Sequence, residues 1–117
     1  MAKAERLERL EVRRLELEHE YREQLVAALR MTASGKWGLF DHQGDHRTRV
    51  ATTPIIERLG ETAEAIDKIR DQLALPAFEL HGEFLQSRGS VTSNAVGEPK
   101  QAQAWLDRLS SETGQLR

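Results

Sequence analysis

Two groups of side chains have the types and spacing to hold a metal ion. Asp41, His42, Asp45 and His46 bring oxygen and nitrogen ligands into six consecutive positions of "DHQGDH". On a helix His42 and His46 would share a face, as two zinc ligands must. Gly44 argues for a turn instead, and Gln43 occupies the place that a glutamate general base takes in an HExxH hydrolase. The second group is made of carboxylates. Glu64 and Asp67 in "EAID" are three apart, as are Glu20 and Glu23 in "EHEYRE". Each pair therefore faces one side of a helix, and two such pairs brought together could hold Mg²⁺ against a diphosphate.

The second arrangement bears a loose similarity to the all-helical nucleotide pyrophosphohydrolases of the MazG type, whose pattern is an EExxE group followed on another helix by ExxD. Glu64 and Asp67 match ExxD. Glu16, Glu18 and Glu20 stand at other offsets than EExxE, so one metal-facing carboxylate of that pattern is missing. The resemblance implies an Mg-dependent hydrolase, which stands as an alternative to a protein without catalytic residues or cofactor.

A third set carries surface recognition rather than bond chemistry. Trp37, Leu39 and Phe40 in "GKWGLF" can pin a long loop over a thin core or form a docking patch for another protein, since aromatic side chains are frequent anchors in both settings.

These residues must be positioned by helices. From Ala4 to Met31 neither glycine nor proline occurs, and Leu7, Leu10, Leu17, Tyr21, Leu25, Ala28 and Leu29 recur at spacings of three, four or seven, with Arg14 interrupting the stripe. This periodicity predicts one long helix ending near Ser34 and Gly35. Thr53 and Pro54 read as the N-cap and first residue of a second helix, with Ile55, Leu59, Ile66, Ile69 and Leu73 on its apolar face. Gly60 marks either a close helix contact or a break. Pro76 reads as the start of a third helix through Arg88, and Pro99 as the start of a fourth.

The expected fold is all-α, a single small helical domain over residues 1–117. It is a long helical hairpin with one or two shorter C-terminal helices, and residues 113–117 are expected to fray. The first connection, 32–52, is long for a compact domain. It is read as an irregular lid, with a small β-hairpin built on Trp37, Leu39 and Val50 as the other option.

Charge narrows the partners. Lysine and arginine number 17 against 19 acidic residues, and residues 1–30 alone carry seven of each sign. Such a balance offers no long-range attraction to nucleic acid or to an anionic membrane. Arg13, Arg14, Lys36, Arg47 and Arg49 are the residues that a nucleic-acid-binding accessory protein would use. The absence of cysteine excludes disulfides and thiolate chemistry, and no run has the length of a signal-peptide core or a membrane span. The expectation is a cytoplasmic interaction or structural adaptor acting as a helical, partly coiled-coil-like homodimer that also packs on another protein.

Overall fold

The computed structural model describes residues 2–35, 39–40, 46–89 and 98–114. It is all-α: helix α1 spans Ala2–Ala33, α2 spans His46–Gln72, α3 spans Leu80–Gly89 and α4 spans Glu98–Gly114. Among the described residues there is no strand, and no helix is long and apolar enough to cross a membrane.

Helix α1 ends where the sequence predicts. Ser34 and Gly35 donate their backbone N–H groups to the carbonyls of Arg30 and Thr32, and Gly35 takes φ 115°, which a side chain would oppose. α2 returns antiparallel to α1. Thr62 on α2 donates to Gln24 at 3.2 Å, and about two turns further on Arg70 donates to Glu18 at 2.9 Å. α4 also packs along α1, with Arg22 of α1 meeting Glu112 of α4 at 3.3 Å.

Three boundaries differ from the sequence reading. The second helix starts at His46 rather than at Thr53, and Pro54 lies inside it. A proline in a helix removes one hydrogen bond to the carbonyl four residues earlier. Pro54 is exposed, so the loss falls on the solvent side, where water can serve that carbonyl, and the helix continues through it. The connection expected over 32–52 accordingly shrinks to 34–45. Val50, assigned above to a hairpin strand, belongs to α2.

The third helix starts at Leu80 rather than Pro76. Residues 76–79 are held in a non-helical path by α2: the Phe78 N–H donates to Asp67 Oδ1 at 2.7 Å and the Pro76 carbonyl accepts from Arg70 at 2.9 Å. The Asp67 bond satisfies an N–H that a first helical turn would otherwise leave open, and the Arg70 bond takes a carbonyl that a helix would have paired within itself. α4 carries helix to Gly114, past the start of the expected fraying, and residues 115–117 lie outside the described part.

Gly60 does not break α2, and the neighbouring helix leaves room for a side chain there at ordinary van der Waals distance. A Cβ placed there would lie 3.6 Å from Nε2 of His81 on α3.

The core runs from Leu17 to Leu29 on α1, with Leu59, Ala63 and Ile66 from α2, Phe84 from α3, and Ala102, Trp105 and Leu109 from α4. Edge-to-face aromatic pairs thread it. Tyr21 meets Phe78 at 5.1 Å, Phe40 meets Phe84 at 5.9 Å, and Phe84 meets Trp105 at 5.9 Å between ring centroids. Such pairs add roughly 0.5–1.5 kcal/mol beyond the area they bury.

The end of α2 carries a conformational strain that composition does not reveal. Leu75 N–H returns to the Arg70 carbonyl at 2.8 Å and Ala74 N–H to that of Asp71 at 3.1 Å. This is the Schellman arrangement, with Ala74 at the left-handed position, φ 57°. An alanine there costs about 1 kcal/mol that glycine avoids. Ala74→Gly is therefore expected to raise stability by about 1 kcal/mol and Tm by roughly 4 °C, read by thermal unfolding.

Candidate interaction surface

The sequence-derived candidates separate when placed on the fold. Trp37 and His42 lie outside the described residues. His46 opens α2 with its backbone, and its side chain lies outside the described part. Glu64 is exposed on α2, whereas its partner Asp67 is engaged in holding Phe78 N–H. Glu20 accepts from Gln24, and Glu23 pairs with His19 at 2.8 Å, on the exposed side of α1. The two carboxylate pairs thus serve separate local contacts. Among the described residues no group of three or more potential ligands is placed to hold a metal ion.

Leu39 and Phe40 are in the core at 1% and 0% exposure, which corrects the docking-patch assignment for these two. Their burial has a specific support. Phe40 N–H donates to the buried Glu98 Oε1 at 2.7 Å, and Arg88 donates to the Leu39 carbonyl. The first residue of α4 and the last turn of α3 therefore grip the connection, and Phe40 lies against Phe84. These residues anchor the loop.

The surface that remains lies on α1. Every residue from Lys3 to Arg9 is exposed, and the buried part of the helix begins only at Leu17. Leu7, Val12 and Leu15 are 41%, 53% and 54% exposed, against 6% for Leu17 and none for Tyr21. At 1.5 Å per residue, residues 2–13 form an arm about 18 Å long beyond the packed helices. Leu7 and Leu10 continue along the arm the same seam that Leu17 and Tyr21 present to the core.

A charged collar marks where the arm leaves the bundle. Glu18 accepts from both Arg14 and Arg70 at 2.9 Å, and Arg14 also binds Glu11. Burial alone would push the Glu18 carboxyl up, but the hydrogen bonds from Arg70 and Arg14 outweigh it and hold the group below the usual carboxylate range. Arg70 also lies over the Phe78 ring at 5.5 Å. A second chain of ion pairs ties α3 to α4 and α1, with Arg108 contacting Glu83 and Glu112, and Glu112 meeting Arg22.

Tyr21 and His81 form the one long-range hydrogen bond described between the first helix and the third. The phenolic oxygen lies 2.8 Å from His81 Nδ1, with the rings edge to face. Burial lowers the imidazole pKa, opposed by the nearby Asp67 carboxylate, which raises it. With the imidazole neutral and its proton on Nε2, the Tyr21 hydroxyl donates a hydrogen bond to Nδ1. Because the folded pKa is depressed, the unfolded chain binds the proton first. The contribution is full above the unfolded value near 6.5 and is lost as pH falls through the folded one. Chemical denaturation between pH 7.5 and 5 should show stability declining with acid, with a shallower slope in His81→Gln.

With this geometry in hand, the relation to known proteins is brief: no protein-family model, curated protein or solved structure matches the chain.

Proposed function

We propose that the chain is a small protein-interaction or structural adaptor, acting in the cytoplasm as a helical dimer, with the arm of α1 as its association element. The observation that carries this reading is the exposed Leu7 beside the half-buried Leu10, on the stripe of a helix that outruns the rest of its own bundle. An isolated helical face of this kind loses apolar area to water unless another surface covers it. The balanced charges of the arm suit protein pairing better than attraction to a polyanion.

Sedimentation equilibrium tests the proposal. The full chain is expected to show a dimer whose population grows with concentration, and Leu7→Ser with Leu10→Ser is expected to be monomeric. Thermal stability of the monomeric form should stay within about 1 kcal/mol of the parent under monomeric conditions, because the arm lies outside the core. A full chain that stays monomeric, or a dimer that survives both substitutions, would overturn the proposal.

A further inference from the structure

We infer that the surface covering the arm is the arm of a second copy, running antiparallel, with its tip seated against the end of the first copy where α2 turns toward α3. This inference rests on the dimer reading above and adds orientation, register and the receiving surface.

Orientation follows from what already occupies the seam. Leu7, Leu10, Arg14, Leu17 and Tyr21 alternate at spacings of three and four, so they share one stripe. From Leu17 onward that stripe is taken by the chain itself: Tyr21 lies against the rings of Phe78 and His81. A parallel neighbour meeting Leu7 and Leu10 would run about three turns on into residues 78–81, and its own covered stripe would meet the same obstacle. An antiparallel neighbour carries its bulk to the opposite end and leaves both arms room.

Register follows from the leucines. In an antiparallel pair of this spacing, Leu7 faces Leu10 of the partner subunit, and the twofold axis passes between them. The same offset brings Lys3 of the partner subunit level with Arg14. That level is the end of the bundle, because Arg14 and Arg70 share the Glu18 carboxylate and Arg70 also holds the Pro76 carbonyl.

The receiving surface complements the tip. Leu75 is 38% exposed there and lines one shallow hollow with the exposed Asp71. Lys3 of the partner subunit brings a positive charge to the Asp71 carboxylate, and Arg6 of the partner subunit brings another level with Glu11. Arg14 does not oppose them with an unmatched charge, since Glu11 and Glu18 both bind it. The apolar pairs supply contact area, and the charges fix direction.

The chain has no cysteine, so Leu7→Cys and Leu10→Cys variants report orientation cleanly. Mixed and oxidised in a glutathione buffer, the two are expected to form the mixed disulfide in excess over either symmetric one. Dominance of the Leu7→Cys symmetric disulfide would overturn the antiparallel arrangement while leaving an arm-dependent dimer standing. Sedimentation of the parent as a monomer throughout would overturn the dimer reading with it.

A second measurement addresses the receiving surface. Lys3→Glu should weaken association about threefold at low salt, and adding Asp71→Lys should restore it. Association indifferent to the first substitution, or not restored by the second, would overturn this seating.

Discussion

Phe40→Ala is expected to destabilise the chain by about 3–5 kcal/mol, the usual range for removing a fully buried phenylalanine. The ring lies against Phe84 at 5.9 Å, and Phe84 in turn lies against Trp105. Its loss leaves a void where the connection, α3 and α4 meet, and its neighbours are locked by their own packing. Urea unfolding followed by tryptophan fluorescence measures the change, with Trp105 close to the site. A loss below about 1 kcal/mol would remove the anchor role assigned to this residue.

The second large effect belongs to Glu98. Glu98→Ala is expected to cost about 2–3 kcal/mol, because it strands the Phe40 N–H, a buried donor that now gives a 2.7 Å bond to the carboxylate. The carboxylate is itself fully buried at the first residue of α4, where the helix dipole favours negative charge. The two substitutions act on adjacent groups of one contact. Their combined effect should therefore fall short of the sum by about 1 kcal/mol or more in a double-mutant cycle. Strict additivity would mean that the ring and the N–H bond hold the connection independently.

Much of the architecture is written in residue spacing. The stripe from Leu7 to Leu29, interrupted at Arg14, is enough to define α1, Gly35 to end it, and the matching stripe from Leu59 to Ile69 to define a returning helix. What spacing does not carry is side-chain rescue of backbone groups. Pro76 followed by Ala77 and Phe78 reads as a helix start, yet Asp67, eleven residues upstream of Phe78, takes its N–H and delays the helix to Leu80. The same bond gives Asp67 a structural duty that its spacing from Glu64 could not announce. Ala74 is silent for a related reason, since nothing in an alanine signals a left-handed backbone.

The exposure of the arm is hidden by continuity. Leu7 and Leu10 fall on the same stripe as Leu17 and Tyr21, so periodicity treats all four as core. Where cover ends is decided by the level that α2 reaches, at Arg70 beside Glu18, and that depends on the length of the connection and the start of α2. Leu39 and Phe40 posed the converse problem. Aromatic and aliphatic residues in a glycine-bearing loop suit an anchor first and a docking patch second, and the bonds to Glu98 and from Arg88 show how Leu39 and Phe40 are held in the core.

Unequal cover along α1 divides a single helix into two thermodynamic regimes. A free peptide the length of the arm would be mostly coil, because starting a helix fixes several residues for one hydrogen bond. In the intact chain the packed turns from Leu17 onward act as a permanent nucleus, and the arm needs only to propagate from it. Backbone protection should therefore grade along one continuous element, deepest around Tyr21 to Leu29 and fading toward Lys3, with Arg14 and Glu18 at the crossover. A partner that covers Leu7 and Leu10 extends an existing helix rather than creating one, so little chain entropy is surrendered when the arm is engaged.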